Sequence, residues 1–486
     1  MMARIVPLFV ILFALFPLTD TDIWWHLACA REWYLTWTPV RLPVVNVHEY
    51  FQQAVYAVYS LGGAPLLVVF KALLWGMVFA LFLRPKKISA VSLSVLVLLL
   101  FLFRFQFEMR PVVFSMLFLG IYWNVLPWLF RRFLAGGWRD TRWCVKTVLV
   151  SLLVLALQWA WCRVQGLYVL GPLFAVACLV PELYGRRVFQ RETVAKFALP
   201  VLFAVLLFAM PFLHDDGVAL FLYPFGLLDR LLGLTPSAVA FAQGIAENRS
   251  PLTLALAGEN ALVSVLMLCT TVAGVVLAVM DVVRTRKILV CNITLFVTAV
   301  MALVAERNFV LFLPVFVGVV CSHDILCKAN LFCKLSNAPR VRLVVGTVLV
   351  FAVLGFWCRG VVAYDSWVAY QRVPVGAAAW MKAHPHEGRL FNDDRAGGYL
   401  AFVNPADSIY IDGRFILKTA DFFERYLRYA GDPKLFMADA DSLGVDRAVF
   451  PVRFYARWGS LLGALDGSPE WEIGYVDDFY IVFCKK

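Results

Sequence analysis

Charged side chains are scarce in this chain: Asp, Glu, Lys and Arg make up 16% of its 486 residues, and there are only six histidines. Soluble domains carry about a quarter charged and about half apolar residues. Here 62% are apolar and 15% aromatic, which excludes an ordinary water-soluble fold and leaves a polytopic membrane protein. Other signals are missing too. There is no G-x-x-x-x-G-K-S/T or G-x-G-x-x-G phosphate loop, no G-x-S-x-G elbow, no H-E-x-x-H zinc helix and no kinase signature. The eleven cysteines have neither the spacing of a disulfide scaffold nor that of a zinc site. Cys327 and Cys333 share a basic loop without a second pair, so buried structural thiols are expected. Heptads, short repeats and low-complexity tracts are absent as well.

Apolar runs separated by basic clusters fill most of the chain. A net charge of +11 would suit a nucleic acid if it formed one face. Instead Lys and Arg fall in short clusters between apolar runs, the positive-inside pattern, and nucleic acid drops out as a partner. Runs approaching the roughly 20 residues that a crossing helix needs predict about eleven spans, near 2–18, 61–83, 88–103, 112–130, 147–162, 166–181, 197–213, 260–281, 288–304, 308–321 and 343–358. The first is read as a retained helix, since it carries one basic residue, Arg4, and no small-x-small cleavage site before Asp20. With the N-terminus inside, the cytoplasmic loops hold Arg84, Lys86 and Lys87, Arg131 to Lys146, Arg186 to Lys196, Arg284 to Lys287, and Lys328 to Arg342, against scattered arginines outside. A transmembrane domain of 1–358 and a soluble extracytoplasmic domain of 359–486 follow.

Two outer segments are too long to be turns. The first, 19–60, sets Asp20, Asp22, His26, Glu32, His48 and Glu49 among tryptophans, a composition suited to interfacial helices. The second, 214–259, contains H-D-D-G and A-E-N-R-S-P. The tail alternates strand-like pieces (S-I-Y-I, A-V-F-P-V, F-Y-I-V-F) with helical ones (A-D-F-F-E-R-Y-L-R-Y, P-K-L-F-M-A-D-A), the pattern of a small α/β domain.

Ionisable groups at a membrane face are either solvated caps or functional groups, because charge in hydrocarbon is costly. In T-D-T-D-I-W-W-H-L, Thr19 or Asp20 can cap a helix beginning at Asp22. On that helix Asp22, His26 and Cys29 share a face, and a carboxylate beside an imidazole suits a general base or a metal site. The division expected is one aspartate as cap and Asp22 as base, with Asp20 as helper or metal ligand. Arg104, Arg110, Arg163 and Arg307 sit at outer span ends, open to two readings: snorkelling or ion pairs with Glu108 and Glu306, or a guanidinium clamp for a lipid phosphate. His48 and Glu49 are adjacent, so their side chains diverge on a helix. His214, Asp215 and Asp216 read as a turn, with divalent-ion binding as the alternative. In the tail, N-D-D-R-A-G-G-Y-L and I-D-G-R-F read as glycine turns.

With these residues in view, the chain resembles a family of bacterial polytopic proteins assigned to the C-type (GT-C) glycosyltransferase superfamily. D-T-D-I-W-W-H-L is similar to that family's D-x-D-x-W-W-H-L, and V-N-V-H-E-Y to its H-E-W segment, with Tyr50 for tryptophan. Met109-Arg110-Pro111 is similar to its R-P span opening, and A-E-R-N-F-V-L-F to its R-N segment. The tail's F-N-D-D-R-A-G-G-Y-L and Y-I-D-G-R-F resemble its N-D-x-x-x-G-G-Y-L and I-D-G-R pieces. Two places depart. W-C-R-V-Q-G stands for W-x-N-x-H-G, so Arg163 and Gln165 replace an amide and an imidazole, and A-E-N-R-S-P matches E-W-x-S-P only through Glu247.

The resemblance implies a transferase that takes sugar from a polyprenyl-phosphate donor on the outer face, with an essential acid in the first outer loop. The expected site is Asp22 and Asp20 as catalytic groups, with His26, His48, Glu49, Arg110, Arg163, Glu247 and Arg307 binding substrate. Departure of the donor phosphate is eased by arginine or by a divalent cation, Mg or Mn. The acceptor is open among lipid, glycan and protein. Two other classes remain: a lipid or glycolipid flippase, which requires charge near span midpoints and paired broken helices, and a non-catalytic assembly protein on a degenerate transferase fold.

Overall fold

The computed structural model describes residues 2–41, 44–83, 90–136, 140–184, 191–323, 339–453 and 456–486. Arg84, Lys86, Lys87, Arg139, Arg186, Arg187, Cys327, Lys328, Cys333 and Lys334 lie outside the described residues. In chain order the helices are α1 (Val6–Phe13), α2 (Asp22–Cys29), α3 (Glu49–Phe82), α4 (Ala90–Leu102), α5 (Val112–Ala135), α6 (Thr141–Cys162), α7 (Leu170–Leu183), α8 (Arg191–Ala209), α9 (Gly217–Leu232), α10 (Pro236–Gly244), α11 (Pro251–Leu256), α12 (Ala261–Thr285), α13 (Val290–Val304) and α14 (Phe309–His323). The helix Pro339–Val362 leads into the tail.

Every expected span contains a helix, but among the described residues length and apolarity qualify six as crossing helices: Glu49–Phe82, Val112–Ala135, Thr141–Cys162, Gly166–Leu183, Ala195–Leu213 and Ala261–Thr285. Ser92–Leu102, Val290–Val304 and Gly346–Val362 are shorter apolar helices. The first run, expected to span 2–18, forms an α-helix of only eight residues, about 12 Å long at the usual rise. In α3 the chain leaves helical geometry at Gly62 and Gly63, the latter at φ 63°, just before Pro65. The expected span start at 61 falls on this kink, and the part of α3 before it continues the first loop. On α6, Val145, Val148, Leu149, Leu152 and Leu153 are each at least half exposed; such a stripe requires hydrocarbon around it. The protein is a multi-pass membrane protein.

The tail carries a sheet of order β1-β2-β4-β3, with β1 at Arg389–Asn392, β2 at Val445–Pro451, β3 at Trp471–Val476 and β4 at Tyr480–Lys485. β1 and β2 are parallel and the other pairs antiparallel. A-V-F-P-V and F-Y-I-V-F fall in β2 and β4, and both helical pieces are helices, Ala420–Arg428 and Pro433–Leu443.

S-I-Y-I does not join the sheet. Ile409 bridges to Thr36 of the first loop, and the Asn392 side chain takes the next backbone groups, accepting from Tyr410 N at 2.8 Å and donating to Ile411 O at 2.7 Å. N-D-D-R-A-G-G-Y-L is likewise no turn. It forms the helix Asp394–Val403, capped by the Asp393 carboxylate, which accepts from Arg395 N at 3.0 Å.

Tail and first loop are knitted together. Leu18 N donates to Trp367 O at 2.9 Å and Trp37 N to Ile409 O at 3.0 Å. Lys418 Nζ donates to Thr38 Oγ1 at 2.6 Å. Trp25, Ala28 and Leu35 share an apolar cluster with Ala377, Leu390 and Leu400. Seven of the eight residues of α2 are buried. The helix expected at the membrane interface is therefore an interior one, because the tail covers its aromatic residues.

Candidate active site

The site is built where α2, the start of α5 and the second loop meet. The N-cap position of α2 is Thr21, without a side-chain cap bond. Thr19, expected as cap, donates its hydroxyl to Glu108 instead. Asp20 reaches Asp22 N only at 3.4 Å, because both its oxygens are taken by Arg110. Pro111 fixes that arginine at the start of α5, with φ −53°. Glu247 lies in the short turn Ala246–Asn248, which Asn248 anchors by donating Nδ2 to Phe241 O at 3.1 Å.

Arg110 holds two carboxylates at once. Its Nε and Nη2 donate to Asp20 at 3.0 Å each. Nη1 and Nη2 donate to Glu247 at 2.8 and 3.0 Å. Both edges of the guanidinium fork are thereby used in bidentate geometry, the strongest arrangement available to this side chain. Arg110 holds the Glu247 carboxyl down at about 2 against the cost of burial. No cation pairs with Asp22 among the described residues. Burial, reinforced by the Asp20 charge and only partly offset by Arg110, pushes its pKa up to about 7. Asp22 is thus the acid of this group that changes charge near neutrality.

The tail supplies the wall over Asp22. A Cβ on Gly413 would strike Asp22 Oδ1 and lie 3.3 Å from Trp25 Nε1. A Cβ on Gly398 would lie 2.8 Å from Trp25 N and 3.3 Å from Thr21 O. The two glycine motifs therefore act as surfaces that let the tail approach α2, rather than as turns. Arg414 secures this approach, donating to Asp412 at 2.7 and 3.0 Å, to Trp33 O at 2.7 Å and to Cys29 Sγ at 3.1 Å.

His26 lies among the rings of Trp25, Phe51 and His48, with centroids 3.5, 4.7 and 5.2 Å away. His48 Nδ1 is 3.1 Å from Val164 O. Burial lowers both imidazoles, His26 well below its usual value and His48 to about 4, so they form a neutral wall. His26 Nδ1 is buried without a hydrogen-bond partner among the described residues. Arg163 serves a separate cluster, 3.1 Å from Asp216 and 3.8 Å from Glu49. Asp216 is therefore engaged, and His214 stacks on Trp159 at 4.8 Å and 7°. H-D-D-G is a turn that closes the second loop onto α6.

Arg307 is exposed and makes no hydrogen bond or ion pair among the described residues, although its charge acts on Glu247 and Arg110. Lys71 was not anticipated. It is fully buried in α3, donates to Phe16 O at 3.0 Å and sits 3.4 Å over the Phe16 ring, with Glu108 and Asp20 as its charge partners. A lone lysine in V-V-F-K-A-L-L was the available signal. Beside Thr19 and Glu108, a cavity of about 410 Å³ is lined further by Arg104, Trp357, Tyr364 and Asp365.

A divalent ion does not fit this donor set. All four oxygens of Asp20 and Glu247 already accept from Arg110, and no three His, Cys, Asp or Glu side chains gather as a metal-holding group among the described residues.

No protein-family model matches the sequence, and no curated protein does so significantly. Solved structures do match in shape. The archaeal oligosaccharyltransferase AglB from Archaeoglobus fulgidus, in complex with an inhibitory peptide and a dolichol-phosphate, aligns over 100% of this chain and 74% of its own, with TM-score 0.56 and 11% identity. The fold is similar to that of AglB. The apo form gives TM-score 0.54, and a form complexed with Zn and sulfate 0.53, each at 11% identity over 100% of this chain and 74% and 73% of that one. At this identity the likeness concerns the fold alone.

Proposed function

We propose that the protein is a membrane glycosyltransferase that moves a sugar from a polyprenyl-phosphate donor to an acceptor on the outer face of the cytoplasmic membrane. The observation that carries this reading is Asp22: a carboxyl titrating near 7, unpaired with a cation, walled by the tail and set beside carboxylates held by Arg110. The AglB-like fold and the first-loop motif support it. The positive-inside bias supports a tail, and with it a site, on the outer face.

In this reading Asp22 takes the proton of the acceptor nucleophile as that group attacks the anomeric carbon. The bond from that carbon to the phosphate oxygen breaks, and the lipid phosphate leaves with the electron pair, giving inversion. Arg307, the unpaired guanidinium, receives the phosphate, and His26 and His48 line the pocket. Asp20, Asp22, Arg110 and Glu247 gather beside the tail, as a transferase site requires.

Arg307→Ala is expected to raise the KM for donor about tenfold, with a smaller change in kcat, as checked by varying donor at saturating acceptor. The transfer rate is expected to rise about tenfold per pH unit below 7 and to level off above it, since Asp22 must be ionised to act as base. A flat profile from pH 5 to 8 would exclude Asp22 as the base. The reading itself is tested by comparing envelope glycolipids and glycans from cells with and without the gene: one missing sugar names donor and acceptor, and identical profiles refute it.

A further inference from the structure

Both carboxylates that come from separate segments to face each other at this site, Asp20 and Glu247, are bound to one side chain. We propose that Arg110 is the fixed cation of the site, standing where a divalent ion would otherwise sit between Asp20 and Glu247, so that sugar transfer requires no divalent metal. The inference rests on the transferase reading and specifies its chemistry.

Geometry carries it. A divalent ion collects carboxylate oxygens from separate segments and fixes them around one positive centre. Here the segments are the entry to α2, the start of α5 and the turn Ala246–Asn248, and the positive centre is a guanidinium with a bidentate pair on each edge. Of its five N–H groups, four are used by these bonds. The one left belongs to Nη1. About a third of the Arg110 side chain, 32%, remains accessible, which leaves room for an anionic group to reach that N–H.

Unlike a metal, an arginine is covalently held, stays charged across the physiological pH range and cannot be removed by a chelator. To enter, a divalent ion would have to break four charge-assisted hydrogen bonds and come to rest against the arginine's own positive charge. Arg307, whose charge acts on both Glu247 and Arg110, adds a second obstacle of the same sign. A neighbouring structure binds Zn and sulfate, so a metal is a real alternative for this architecture.

The test is Mn2+ binding to the full-length protein in nanodiscs, followed by the electron paramagnetic resonance signal of free Mn2+, with transfer assayed in parallel. Wild type is expected to show no saturable Mn2+ site and to keep its transfer rate within about twofold in EDTA. Arg110→Gln vacates the carboxylates and is expected to gain a saturable Mn2+ site that wild type lacks. Its transfer is expected to fall about 100-fold and to recover in part with Mn2+ or with added guanidinium ion. A saturable Mn2+ site in wild type that Asp20→Asn abolishes would overturn the proposal, as would wild-type transfer lost in EDTA and restored by Mn2+. The wild-type titration needs no variant to fold. It also reads the metal question when no transfer is seen at all, a result that would strike the transferase reading and not this one.

Discussion

Asp22→Asn is expected to reduce sugar transfer about 1,000-fold or more, the scale of a lost general base, while the protein inserts and folds normally. The two outcomes separate because ionised Asp22 opposes folding. Its folded pKa, about 7, lies above the 3.8 of a solvated aspartate, so the folded state binds the extra proton between those values and stability falls as pH rises through that window. Asparagine removes the cost of burying the charge at little change in volume. The variant is therefore expected to be at least as stable as wild type at pH 8, by thermal denaturation in detergent, and yet inactive. Transfer at the wild-type rate would exclude Asp22 as the base.

Gly413→Ala is expected to cost about 100-fold in transfer, the scale of a misplaced reacting group, although nothing in the backbone forbids alanine there. Gly413 does not occupy the left-handed region, and its new methyl would meet Asp22 Oδ1. The carboxyl must move, or α2 and the tail must part. Gly459→Ala is the matched control: it adds the same methyl in the tail where nothing lies within 4 Å, and it is expected to leave transfer unchanged. Equal activity of the two variants would mean that the tail only covers the site.

The membrane class was legible because apolar runs and basic clusters are properties of composition and order, and every expected span contains a helix. Its limit was length, since α1 packs against α3 and α4 as an eight-residue helix. The segment T-D-T-D-I-W-W-H-L yielded the start of α2 at Asp22 but not the partner of Asp20. That partner, Arg110, lies 90 positions away, and pairings at such a distance leave no spacing signal. The same holds for Gly397 and Gly398. Read locally, two glycines suggest a turn; in the fold they lie inside a helix because Ile411 O and Trp25 N approach too closely for side chains. Arg163 and Glu49 were grouped with the donor site on sequence, and their partner Asp216 shows that they tie the two outer loops together.

The most direct test incubates radiolabelled polyprenyl-phosphate sugars with wild-type and Asp22→Asn protein in nanodiscs at pH 8, supplied with an envelope fraction from cells lacking the gene. Label passing into the envelope fraction with wild type, and not with the variant, is the result expected. Label passing equally with both, or with neither, would contradict a transferase that works through Asp22.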